Sequence, residues 1–171
     1  MVALVVPIIV ILLYGLLLIY FAYTVIAIFK GAAPIPSRKS TIEKMLRLSN
    51  IRRGEKLVDL GSGDGRILFA ASKRGACCLG IEINPLLCWY TRVLIWLKKD
   101  KLVSVQRGDF WKHNLRDVDI LAVYAVPRCM QKLKTKVQNE MQPGSKVIVA
   151  VYPFPDWPPE QQDDLVYLYR V

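Results

Sequence analysis

Val2 to Phe29 is a run of 28 residues without a charge. A helix of that length, rising ~1.5 Å per residue, outruns the ~30 Å hydrocarbon core of a bilayer. The pattern therefore predicts one transmembrane anchor helix over 1–30. Gly31 to Arg38, with Pro34 and Pro36, reads as a short stiff linker inside a 31–40 connection. Beyond it, over 41–171, short apolar runs alternate with amphipathic stretches. Lys56–Leu60, Cys77–Ile83, Leu102–Arg107, Asp119–Tyr124 and Lys146–Tyr152 read as strands, with a last one near Leu165–Arg170. Helices fill the gaps. Ser40-x-x-Glu43 has the form of a capping box opening a helix through Leu48, whose apolar side reads as a cover on the sheet edge. Another runs from Gly65 to Arg74 with Gly75 as its stop, a third follows the Asn84 cap and Pro85, and a basic one opens at Pro127. The third carries Trp89, Tyr90 and Trp96 and is expected to turn its aromatics to the sheet. This order predicts an α/β, doubly wound, mostly parallel sheet of about six strands, its last edge open or completed by a partner.

Charge separates the two parts. All 24 Lys and Arg and all 14 Asp and Glu follow Phe29, so the formal charge of +10 belongs to residues 30–171. Lys30, Arg38, Lys39, Lys44 and Arg47 follow the apolar run at once, which places the domain on the cytoplasmic side of a membrane. A secretory signal has an apolar region of ~7–15 residues after a basic start, and this N-terminus has neither feature. The basic domain is expected to lie against an anionic lipid surface. Lys132, Lys134 and Lys136 do not all share one helical face, which argues against nucleic acid as a partner. Cys77, Cys78, Cys88 and Cys129 lack the paired spacing of a zinc site, so they read as reduced packing residues and no metal is expected. The single histidine, His113, reads as solvent-exposed.

Candidate chemistry is concentrated in Asp59-Leu-Gly61-Ser62-Gly63-Asp64-Gly65-Arg66, between two predicted strands, and in Glu82 at the end of the second. A chain leaving a buried strand for a helix over a ligand needs positive φ and no side chain in the way. The spacing Gly61-x-Gly63-x-Gly65 misses the G-x-G-x-x-G of dinucleotide folds, because Arg66 stands where the third glycine belongs. A pyrophosphate here would also meet Asp59 and Asp64. A cationic cofactor suits such a turn better, and Glu82, 21 residues after Gly61, is spaced to hold a ribose diol.

Asp-Leu-Gly-Ser-Gly-Asp-Gly-Arg followed by Gly-Ile-Glu-Ile-Asn-Pro resembles the first two motifs of the class I, seven-strand methyltransferases. Gly108-Asp109-Phe110-Trp111-Lys112, Val126-Pro127 and Tyr152-Pro-Phe-Pro-Asp-Trp157 are similar to one branch of these: membrane-anchored protein-lysine methyltransferases of the ATP synthase c-subunit and adenine nucleotide translocase type, with short prokaryotic relatives. The resemblance covers roughly residues 35 to 171, implies S-adenosylmethionine as cofactor, and offers one rim of its pocket as the alternative place for the helix that ends at Leu48. It implies that the 61–65 turn, Ser62 and Asp64 included, lines the methionine end and that Asp59 holds the ammonium. It further implies that Glu82 takes the ribose and Asp109 the adenine amino group, with Phe110 beside the ring.

Methyl transfer needs alignment and water exclusion more than a dedicated base, and none is assigned. A lysine acceptor must shed a proton from a reference pKa of ~10.4, which an aromatic pocket assists by desolvation. Tyr124, Tyr152, Phe154 and Trp157 are the candidates for that pocket. The expected acceptor is a membrane-associated protein. Lipid, a small molecule or RNA are the alternatives, as is a membrane-bound cofactor-binding scaffold without turnover. No Arg-rich transit segment is visible, which favours a prokaryotic plasma membrane over the mitochondrial inner membrane.

Overall fold

The computed structural model describes residues 2–32 and 35–171, so Pro34 of the expected linker lies outside the described residues. Helix α1 (Val2–Lys30) leads to α2 (Lys39–Leu48), β1 (Lys56–Leu60), α3 (Arg66–Ser72), β2 (Cys77–Glu82) and α4 (Pro85–Lys98). After these come β3 (Val103–Arg107), β4 (Ile120–Val123), α5 (Pro127–Glu140), β5 (Lys146–Ala150), β6 (Gln161–Asp163) and β7 (Val166–Arg170). The strands form one mixed sheet in the order β3-β2-β1-β4-β5-β7-β6, parallel through β5 and antiparallel beyond it.

Seven strands replace the expected six or so. The extra one is Gln161-Gln162-Asp163, three polar residues with no apolar alternation to betray them. It pairs with β7 at Gln161↔Leu168, forming a hairpin from the chain's own residues. Helix α2 packs over β5, β7 and β6 through Ile42, Met45 and Leu46, while Arg47 and Lys44 pair with Asp163. That helix covers the sheet and does not reach the cavity described below. The expected capping box is also absent: α2 starts after Arg38, and no side chain caps it.

Successive strand residues face opposite sides of a sheet, and the core divides accordingly. Leu57, Ile120 and Ile148 pack under α2 and α3, while Val58, Leu121 and Val147 pack under α5 with Met130, Leu133 and Val137. In α4 only Cys88 and Thr91 are buried, whereas Trp89 and Trp96 are 65% and 76% exposed. The aromatics therefore point away from the sheet they were expected to cover. Cys77 is likewise exposed beside buried Cys78, and His113 is half-buried rather than open. Burial, then the charges of Lys136 and Lys56, holds the His113 imidazole below its ordinary pKa.

Helix α1 is long and apolar enough to cross a membrane. Its C-terminal carbonyls, which have no partner inside a helix, are capped by the domain: Trp111 Nε1 donates to Lys30 O at 2.6 Å and Arg128 Nη2 to Ile28 O at 2.6 Å. Val126 N donates to Gly31 O at 2.9 Å, and Ala32 bridges to Ala125. Gly31 and Ala32, at the start of the connection, are thus held against the domain.

Candidate functional site

Strand β1 is the pivot of the parallel sheet, because β2 and β3 lie to one side of it and β4 and β5 to the other. Ligands in such sheets bind beyond the carboxyl ends of the strands at this switch in order. A cavity of about 240 Å³ opens there, and its floor includes Asp59, Gly61, Ser62, Gly63, Asp64, Glu82 and Asn84.

Local geometry explains the floor. Gly61, Gly63 and Gly65 have φ of +84°, +56° and +77°, which non-glycine residues rarely adopt. At Gly65 a Cβ would also come within 2.9 Å of Thr91 Cγ2, so the turn and α4 pack closely. Glu82 is 5% exposed, and its two oxygens accept from Gly63 N and Asn84 N, each at 2.8 Å. These bonds fix the carboxylate at the cavity wall with lone pairs left for a ligand. Burial raises the Glu82 pKa, and the same two N–H groups oppose the rise. Asp59 is 3% exposed, and no donor among the described residues bonds its carboxylate. Burial, then the charges of Glu82 and Asp64, pushes its pKa up to about 7. Ser62 Oγ and Asn84 Nδ2 are buried without partners. The floor therefore presents two acids to whatever enters, while the Ser62 hydroxyl is turned toward Gly80 of β2.

Asp64 behaves differently from Asp59. Arg66 grips it with Nε at 2.9 Å and Nη2 at 2.6 Å, which holds the Asp64 carboxyl below its usual range, while Arg66 Nη1 reaches Ser37 O at 2.9 Å. The turn's negative character comes from Asp59 and Glu82, with Asp64 serving as a latch to the 35–37 segment. Asp109 is partnered too. Burial alone would raise its pKa, but the Lys30 ammonium at 2.8 Å and the Trp111 N–H at 3.1 Å outweigh it and hold the carboxyl low. A second, much smaller cavity of about 10 Å³ lies between Ala27, Lys30, Glu82, Ile83, Asp109 and Phe110.

The aromatic candidates divide. Tyr124 lines the main cavity. Tyr152 is 38% exposed and does not line it. Phe154 is packed against Trp157 and Tyr169 at ring distances of 5.3 and 4.9 Å, and its backbone N–H donates to Tyr169 Oη at 3.0 Å. Phe154 and Trp157 thus brace the sheet's antiparallel edge.

The wall expected from them comes instead from α1, whose Tyr20, Tyr23, Thr24 and Ala27 line the cavity with Ile35, Pro36 and Ser37. Tyr23 Oη accepts from Arg107 Nη2 at 2.8 Å. Sequence reasoning missed these residues. The available signal was the cluster of hydroxyls Tyr20, Tyr23 and Thr24, which shares one helical face near the end of a largely aliphatic run.

A doubly wound sheet closed by an antiparallel hairpin, with a glycine turn over two buried acids at the switch point, defines a class I methyltransferase fold. The donor set suits S-adenosylmethionine: the partnerless Asp59 carboxylate matches an ammonium, and the fixed Glu82 carboxylate matches a diol. The ANTKMT methyltransferase domain family matches residues 59–161, and the chain belongs to that family. It is 39% identical over 136 residues to mouse adenine nucleotide translocase lysine N-methyltransferase, covering 76% of this chain and 59% of that protein. With the human ATP synthase c-subunit lysine N-methyltransferase the identity is 35% over 127 residues, covering 74% and 54%. The chain thus spans between half and three-fifths of the length of these relatives. A solved Salinibacter ruber protein, titled an RNA methyltransferase in complex with S-adenosyl-L-homocysteine, superposes with a TM-score of 0.77 at 30% identity, covering 80% of this chain and 93% of that one.

Proposed function

We propose that this chain is a membrane-anchored, S-adenosylmethionine-dependent protein-lysine N-methyltransferase acting on a membrane-associated protein. The observation that carries the reading is the pair of buried carboxylates, Asp59 and Glu82, beside a glycine turn in a cavity whose far wall is the apolar helix. Lysine acceptors in the names of the curated relatives support the acceptor class.

When bound, the cofactor supplies an electrophilic methyl group on a sulfonium. The chain's residues have three tasks. Glu82, held by Gly63 and Asn84 N–H, orients the ribose end, and ionised Asp59 holds the ammonium; Gly61, Ser62, Gly63 and Asp64 line the methionine end, with Gly61 and Gly63 letting backbone approach and Gly65 letting the turn pack on α4. Asp109, once shared with Lys30, and Phe110 frame the adenine end. Tyr20, Tyr23 and Tyr124 form the acceptor wall, desolvating an incoming amine and excluding water, which favours its neutral, nucleophilic form. The loop aromatics Phe154 and Trp157 brace the hairpin and lie outside this wall, as does exposed Tyr152.

The apolar run of α1 supports a single-pass anchor within 1–30, with its turns before Tyr20 in the bilayer and those from Tyr20 on at the cavity wall. On this reading the basic residues after it put the connection to 40 and the catalytic domain over 41–171 on the cytoplasmic side of a prokaryotic plasma membrane, with the mitochondrial inner membrane as the alternative. Tethering raises the local concentration of a substrate in the same membrane. The structural relative titled an RNA methyltransferase gives RNA as the second reading of the acceptor. Labelled methyl from S-adenosylmethionine, with the full chain and membranes lacking it, separates these after fractionation into protein, lipid and RNA. Label is expected in protein, recovered as methyl-lysine and lost with Glu82→Ala. Label confined to RNA or lipid would contradict the lysine assignment.

A further inference from the structure

We propose that α4 makes a second contact with the membrane, laying its outer face on the surface of an anionic bilayer. This inference rests on the reading that α1 spans that bilayer. At 100° per residue, Leu86, Trp89, Tyr90, Val93, Trp96 and Leu97 fall within one stripe of about 120°. The opposite side carries Cys88, Thr91 and Ile95, which pack inward. Trp89, Tyr90, Trp96 and Leu97 are 65%, 46%, 76% and 61% exposed, and Leu102 just after the helix is exposed as well. Elsewhere in the described domain the large exposed apolar side chains, such as Tyr152 and Leu165, are scattered. A patch this concentrated marks a contact surface.

Its chemistry identifies the partner. No acid occurs between Pro85 and Lys99, while Arg92, Lys99 and Lys101 stand exposed around the stripe. Asp100, the nearest acid, is engaged by Ser72 Oγ at 2.7 Å and by Leu102 N at 3.0 Å. Tryptophan with flanking cations on one helix face is the composition of segments that lie in the headgroup region of anionic bilayers.

Position supports the same partner. Leu87, in the first turn of α4, lines the cavity together with Tyr20 and Tyr23 of α1. Arg107, on the strand against which α4 packs, bonds Tyr23. Helix α1 thus lies across the end of the sheet at which α4 begins, although its last turn is tied to Trp111 and Arg128. With both helices engaged, the domain is held at two points and the acceptor wall faces the bilayer surface.

Fluorescence of the full chain in vesicles tests the proposal. Phosphatidylcholine–phosphatidylglycerol vesicles with brominated acyl chains are compared with unbrominated ones, for the wild type and for a Trp89→Phe, Trp96→Phe double variant. Both substituted residues are exposed, so the fold is retained. Two of the four tryptophans lie on the stripe, so brominated lipid should remove about half of the wild-type emission, and the double variant should lose much less. Salt of about 0.5 M should weaken the wild-type quenching by screening the cations. A Tyr14→Trp reporter in the double-variant background reads the span itself. Equal quenching of wild type and double variant, with the reporter quenched, overturns the α4 contact and leaves the span standing. An unquenched reporter overturns the span and the contact with it.

Discussion

The two halves of the parallel sheet end in different ways. At the β1–β2 half, the loop after each strand brings its polar groups straight to the cavity: Asp59, the glycine turn, Glu82 and Asn84. At the β5 half, the loop after the strand turns Phe154 and Trp157 inward, and these two stack on each other and pack against Tyr169 beneath the antiparallel hairpin. One half is a binding surface and the other is a brace. The wall that the brace does not supply comes from α1, more than a hundred residues earlier in the chain. On the proposed function, this division makes the cofactor end a local construction and the acceptor end a product of tertiary contact with α1.

Glu82 is where the division is most sensitive. Glu82→Ala removes a ligand contact and also strands the N–H groups of Gly63 and Asn84, so affinity for S-adenosylhomocysteine should fall by about 100-fold in titration calorimetry. Thermal stability should fall with it. Retained affinity would show that the β1–β2 half is not the cofactor surface. Tyr169→Phe disturbs the other half. It leaves the buried Phe154 N–H without an acceptor, which should cost about 1–3 kcal/mol in denaturant unfolding while cofactor affinity stays unchanged.

Protonation separates the two halves further. With its pKa raised to about 7, Asp59 is largely protonated near pH 6 and ionised near pH 8. An ammonium binds the ionised form, so cofactor affinity should rise about tenfold across that interval, and Asp59→Asn should flatten the profile. Stability moves the other way. The folded state retains a proton that the unfolded chain releases near the ordinary 3.8, so Asp59 lowers stability as pH rises from there through about 7. The smallest effect is expected on the acceptor wall. Tyr20→Phe should raise the acceptor KM about threefold, the loss of one modest hydrogen bond, and leave the cofactor constant untouched.

Legibility in the sequence follows the same division. Asp59, the glycines and Glu82 were readable because strand, turn and strand are consecutive and their spacing carries the chemistry. Tyr20 and Tyr23 were hidden, since their role depends on a contact that no local pattern encodes. Residues 161–163 lack apolar alternation, so the seventh strand was missed, and Ser40 and Glu43 formed a capping motif that the backbone does not use. The α4 aromatics were assigned to the core on composition alone. Burial of Cys88 and Thr91 shows that this helix meets the sheet with its small residues instead. Phe154 and Trp157 sat at the correct edge of the sheet by strand order, but rotamer and packing, which sequence does not give, send them inward.

Hydrogen–deuterium exchange of the full chain, with and without S-adenosylhomocysteine, reads both halves in one experiment. Slower exchange is expected in 61–65, in 82–87 and in the 20–27 stretch of α1, with 152–157 unchanged. Protection confined to 152–157, or absent from the glycine turn, would contradict the assignment of the cofactor site to the β1–β2 half.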